Sequence, residues 1–146
     1  MAAEGTVQSI VVDASPEDVE AVAVDLASYP EWASAVKTVE IHEEDDEGRP
    51  VRATFVTEAM IKEITYTLGY DHGSDTGFSW EAEEGPDIRS MEGSYEFIEL
   101  EDGTTEVVYA LKVDPAFTVP GFLRRQAEKT IVSTALRGLK KRAEGA

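Results

Sequence analysis

The sequence predicts one α+β domain in which a curved antiparallel sheet of about seven strands wraps around a long C-terminal helix, with two short helices after strand 1. Three observations carry this expectation. A capped helix start follows the first strand at once, the apolar period is two over residues 36–113, and helical spacing returns over a long final stretch to about Arg142. At 146 residues the chain suffices for one core and is short for two, so residues 1–146 read as a single domain.

Each element has its own reason. Residues 6–13, TVQSIVVD, are rich in β-branched side chains and suit a strand. Ser15-Pro16-Glu17-Asp18 then supplies a capping hydroxyl, a proline at the first helical position and two carboxylates at the positive end of the helix dipole. Val19, Val22, Ala23 and Leu26 give this helix an apolar stripe ending near Ala27, and Ser28-Tyr29-Pro30-Glu31-Trp32 starts a second, shorter helix. Val39 and Ile41 alternate with polar neighbours up to an acidic turn at 46–48. Val51, Ala53, Phe55 and Thr57 share one face of the next strand, as do Ile64, Tyr66, Leu68 and Tyr70 after it. Phe78, Trp80 and Ala82 make a shorter strand between loops at 71–75 and 83–86. Arg89, Met91, Gly93, Tyr95 and Phe97 fall on one side of the following strand, whose phase is expected to slip after Phe97 because Ile98 and Leu100 have the other parity. Asp102-Gly103 signals a hairpin that returns through Thr105, Val107, Tyr109, Leu111 and Val113. Val119-Pro120-Gly121 introduces the final helix, with Leu123, Ala127, Ile131, Thr134, Ala135 and Leu139 as its apolar face.

Composition removes several function classes. Thirteen Lys and Arg against 30 Asp and Glu give a formal charge of −17, which repels phosphate backbones and excludes general nucleic-acid binding. With no cysteine, disulfides, thiolate nucleophiles and Cys-ligated metals are excluded. No basic-then-apolar leader and no run near the ~18 apolar residues of a membrane span occur, so a cytoplasmic location is expected. The charge is uneven: from Thr118 onward seven basic residues face two acidic ones, a net of +5, leaving −22 for residues 1–117. That basic helix either complements the acidic body or forms a lid or docking face, including for a transient membrane contact.

Strand parity selects the candidate site. Phe55, Tyr66, Trp80, Met91, Tyr95 and Tyr109 have inward parity on five strands, together with Leu123, Ala127 and Ile131 on the final helix. Three inward tyrosines would need partners in a dry core and suit a pocket with a few polar anchors. Arg89 shares that parity, and its guanidinium would hold an anionic ligand group there, or else pair with a local carboxylate at the rim. Trp32 reads as a plug between the short helix and the sheet. His42 and His72 read as exposed, and no residue spacing suits a metal, a nucleotide or a hydrolase elbow, so no metal and no cofactor are expected.

An antiparallel sheet wrapped on one helix is the helix-grip arrangement. The chain resembles the START-like, Bet v 1-like (SRPBCC) superfamily, in particular its small bacterial branch of polyketide cyclase/dehydrase and lipid transport proteins, near coenzyme Q-binding proteins. The resemblance rests on Ile10-Val-Val-Asp-Ala-Ser-Pro-Glu-Asp-Val19, on Ser28-Tyr-Pro-Glu-Trp32 with Val36-Lys37, and on Val119-Pro-Gly-Phe-Leu123, Ala127-Glu-Lys-Thr-Ile131 and Leu136-Arg-Gly-Leu-Lys140. It implies an internal cavity that binds, sequesters or transfers a hydrophobic or amphipathic small molecule, with no obligate protein partner. The alternatives are a cofactor-independent cyclase or dehydratase using Tyr66, Arg89, Tyr95 and Tyr109, and a protein-interaction module of the same fold.

Overall fold

The computed structural model describes residues 5–33, 35–58 and 62–145. Its elements run β1 (Thr6–Val12), α1 (Pro16–Val24), a 3-10 turn (Leu26–Ser28), α2 (Tyr29–Trp32), β2 (Val36–Glu44), β3 (Pro50–Glu58), β4 (Glu63–Asp71), β5 (Gly77–Ala82), β6 (Ile88–Glu99), β7 (Thr105–Pro115) and α3 (Gly121–Gly145). The seven strands form one antiparallel sheet in the order β1-β7-β6-β5-β4-β3-β2, the expected meander closed by β1 against β7. Ser15 caps α1 by accepting from the Asp18 amide, as its sequence position required. Gly103 has φ 87° in the β6–β7 hairpin and Gly48 has φ 82° in the acidic turn, backbone shapes that glycine adopts without penalty. In that acidic turn the Asp45 carboxylate accepts the Glu47 and Arg49 amides.

The inward faces of β3 to β7 and the residues Val12, Val19, Ala23 and Leu26 form one core with α3. The buried face of α3 is Glu128, Val132, Leu136 and Leu139, and the helix packs on β1, β7, α1 and α2. Two contacts fix it. Glu128, only 2% exposed, accepts the Val113 amide at 2.7 Å, while Arg124 donates to both Val113 O and Glu128 at 3.3 and 3.4 Å. At the other end Gly138 lies against Trp32: a Cβ there would meet the Trp32 carbonyl oxygen at 2.6 Å.

Three expectations are corrected here. The register of β6 on β7 runs unbroken from Phe97 to Glu99, so Ile98 is simply a half-exposed apolar residue on the outer face, and the irregularity sits instead between Ile88 and Ser90. Leu123 and Ile131 are 41% and 36% exposed, and neither they nor Ala127 packs against the core. The buried carboxylate of Glu128 turns the helix so that this flank, which two turns beyond Ile131 presents Gly138 to Trp32, looks past the sheet. His72 is not an exposed loop residue. Its Nε2–H donates to the Pro50 carbonyl, its ring packs near Phe78 with centroids 5.4 Å apart, and its Nδ1 is sealed without a partner among the described residues.

Candidate functional site

All five tyrosines of the chain meet on the concave side of the sheet. Cross-strand pairing sets most of them: Phe55 faces Tyr66, Tyr70 faces Trp80, Phe78 faces Tyr95, and Tyr95 faces Tyr109. Ring contacts make the wall continuous, with Phe55 and Tyr66 stacked 8° apart in plane, Tyr95 and Tyr109 centroids 4.6 Å apart, and Trp80 edge-on to Tyr109. The Trp80 indole lies flat over Gly93, where a Cβ would come within 2.5 Å of it. Glycine at 93 thus makes room for the largest ring of the wall. Tyr29 joins from α2, its ring 6.1 Å from Phe55.

The hydroxyls divide into two groups. Tyr29 donates to the Ala23 carbonyl, and Tyr66 shares a 2.9 Å hydrogen bond with Thr57. Those of Tyr70, Tyr95 and Tyr109 make no hydrogen bond to a described residue. They are also not sealed: among the described residues only Trp32 Nε1 and His72 Nδ1 are buried side-chain polar atoms without a partner. Open space therefore borders all three hydroxyls, although Tyr95 and Tyr109 are only 5% and 7% exposed and Tyr70 is partly buried. Burial is the main cause that holds the Tyr70, Tyr95 and Tyr109 phenols well above their ordinary range, with neighbouring phenols adding to it. Burial raises Tyr66 as well, offset by the hydrogen bond from Thr57. All these groups stay protonated at neutral pH. They can donate to a ligand oxygen and cannot serve as bases.

The structure thus brings together Phe55, Tyr66, Trp80, Tyr95 and Tyr109, with Met91, 9% exposed, on the same wall. Arg89 does not join them. The irregularity between Ile88 and Ser90 lets Ile88 and Met91 both turn inward, and it turns Arg89 out to a 60% exposed ion pair with Asp114 at 3.4 Å. Leu123, Ala127 and Ile131 stand apart from the wall on the open flank of α3. Tyr70 and Tyr29 belong to the wall although neither stood among the expected site residues. Tyr70 was visible as the next inward position after Tyr66 and Leu68, whereas nothing in the turn sequence Tyr29-Pro30-Glu31-Trp32 aims Tyr29 inward. A broad open groove of about 780 Å³ also crosses the outer face over Ser79, Ser94 and Ala110. It lies on the side of the sheet opposite the hydroxyls.

The family model for polyketide cyclase / dehydrase and lipid transport proteins matches residues 5–144, and the chain belongs to that family. Among solved structures it is similar to a START superfamily protein from Mycobacterium smegmatis, with TM-score 0.88 at 18% identity over 97% of each chain. It is likewise similar to the Zhui aromatase/cyclase from Streptomyces sp. R1128, with TM-score 0.82 at 16% identity over 97% of this chain and 93% of that one. A STAR-related lipid transfer protein from Xanthomonas axonopodis superposes with TM-score 0.71 at 17% identity, over 94% of this chain and 84% of that one. No curated protein sequence matches. These likenesses establish the helix-grip fold. Among the described residues no helix is long and apolar enough to cross a membrane.

Proposed function

We propose that the protein binds and carries an uncharged, oxygen-bearing hydrophobic small molecule against the tyrosine wall. The observation that carries this reading is the set of three phenol hydroxyls, on Tyr70, Tyr95 and Tyr109, that border open space with no partner among the described residues. Enclosed hydroxyls are normally satisfied, so a wall that leaves three unmet is suited to ligand acceptors such as carbonyl oxygens. The inward positions of β3 to β7 carry no charged side chain among the described residues. An anion placed there would lose its hydration without gaining a counter-charge.

A cyclase or dehydratase would need a group that removes a proton. The phenols are held protonated, and the inward positions of β3 to β7 carry no Asp, Glu or His among the described residues. This favours the carrier. Phe122, 65% exposed, and Leu123 stand beside Arg125 and Lys129 at the start of α3, an arrangement suited to brief contact with an anionic membrane during loading.

Equilibrium binding of a neutral oxygenated dye such as Nile red, against oleate as the anionic control, tests the reading. Nile red should bind, oleate should bind at least about tenfold more weakly, and each of Tyr70→Phe, Tyr95→Phe and Tyr109→Phe should weaken Nile red about two- to tenfold without unfolding the protein. Failure of every neutral probe to bind the folded protein would refute it.

A further inference from the structure

Tyr70 is the penultimate residue of β4, and its hydroxyl makes no hydrogen bond to a described residue, so its direction is set by the rings around it. Three surround it. Phe78 and Trp80, both buried on β5, tilt against it at 49° and 44° with centroids 6.0 and 5.9 Å away. The third, His72, lies nearly parallel to it, 12° apart in plane at 6.2 Å.

Phe78 and Trp80 are placed by the sheet, each facing a residue of the neighbouring strand. His72 is not, because it follows the last residue of β4 and lies outside the strand pairing. Its ring is held instead by the Nε2–H, which donates to the carbonyl of Pro50, the buried first residue of β3, at 2.6 Å. A carbonyl oxygen can only accept, so this bond fixes the proton on Nε2. The other nitrogen carries a cost, since Nδ1 is sealed without a partner among the described residues and an enclosed acceptor left unmet is unfavourable. Phenylalanine at 72 would supply a ring and avoid that cost. What histidine adds is the bond to Pro50.

We propose that His72 is a positioning residue of the tyrosine wall: anchored on the Pro50 carbonyl, it holds its ring against Tyr70 and thereby aims the Tyr70 hydroxyl at the ligand. Resting on the carrier reading, this makes one of the three ligand-facing phenols depend on a side chain that acts through it. A double-mutant cycle on Nile red affinity tests the dependence. His72→Phe keeps a ring and removes the donor, whereas His72→Gln keeps a donor and removes the ring. Each should weaken Nile red about two- to fivefold in the parent and in the Tyr109→Phe background, and by less than about 1.5-fold in Tyr70→Phe, where no hydroxyl remains to be aimed. An equal loss in all three backgrounds would mean a merely structural role and overturn the proposal, as would parent affinity in either His72 variant. A second readout needs no ligand. With isotope labels in the tyrosine rings, nuclear magnetic relaxation should show the Tyr70 ring of His72→Phe flipping severalfold faster, with Tyr29 and Tyr109 at their parent rates. An unchanged Tyr70 ring, or acceleration of all the tyrosines together, would overturn the proposal. If Nile red does not bind the folded parent, the carrier reading falls first, and the ring-flip comparison then decides whether His72 holds Tyr70.

Discussion

Replacing Glu128 with alanine should destabilise the protein by about 3–5 kcal/mol, the usual cost of removing one partner of a buried, hydrogen-bonded charge. The structure shows where that cost arises. The 2.7 Å bond from the Val113 amide is charge-assisted and contributes about 1.5–3 kcal/mol. The contacts from Arg124 and Thr6 are both 3.4 Å and add less. In Glu128→Ala the Val113 amide is orphaned, the Arg124 guanidinium, 21% exposed, loses its carboxylate, and the side-chain volume empties. In Glu128→Gln an acceptor for Val113 remains, and the loss should be about 1–2 kcal/mol. Urea unfolding followed by circular dichroism measures both, and Glu128→Ala should lower Tm by about 10 °C at this chain length. Alanine within about 1 kcal/mol of the parent, or glutamine as costly as alanine, would refute the clamp as the device that sets α3 on β7.

Gly93→Ala should cost about 1–3 kcal/mol by forcing the Trp80 indole off the strand, seen as a lower urea midpoint and a shifted tryptophan emission; an unshifted emission would mean that the ring is not seated there. Tyr66→Phe should cost about 1–2 kcal/mol by stranding the Thr57 hydroxyl, 8% exposed, and most of that loss should vanish in the Thr57→Val background. The tyrosines also set an alkaline limit. Their folded pKa values lie above the ordinary 10.0, so their contribution to stability is complete below about pH 10 and is lost as pH rises from there toward the folded values. Absorbance at 295 nm should accordingly show no phenolate step in the native protein, only one that coincides with unfolding, and a separate native step would place a tyrosine outside the wall. At the start of α3, Phe122→Ser with Arg125→Glu should reduce co-sedimentation with anionic vesicles severalfold and leave neutral vesicles unaffected; equal binding by both proteins would remove α3 as the contact.

The strands were legible because their inward residues alternate over most of their length, and six of the wall residues follow directly from that parity. The errors fall where a local event resets the phase. The irregularity beside Arg89 moves one residue across the sheet, and parity counting carries a charged side chain into the site that the fold keeps out. On α3 an apolar-face reading selects Leu123 and Ile131, because a buried glutamate is invisible to hydropathy. Only its partners on β7 and β1 reveal that Glu128 faces inward. Tyr29 was hidden because its direction depends on where a four-residue helix docks, and His72 because its partner, the Pro50 carbonyl, is a backbone atom 22 residues away.

An open sheet ends in two strands with unpaired backbone groups, and each is a template on which a second copy could add. Here the two ends are guarded differently. At β1 the Lys140 ammonium occupies the Val11 carbonyl at 2.7 Å, while the Glu144 carboxylate takes the Asp13 amide at 2.8 Å, so the final turns of α3 blunt that margin. At β2 the exposed Glu40, Glu43 and Glu44 would set like charges against one another in any strand-to-strand stacking. The basic end of the long helix and the acidic far margin thus both oppose edge-to-edge addition of a second copy to this open, aromatic-lined sheet.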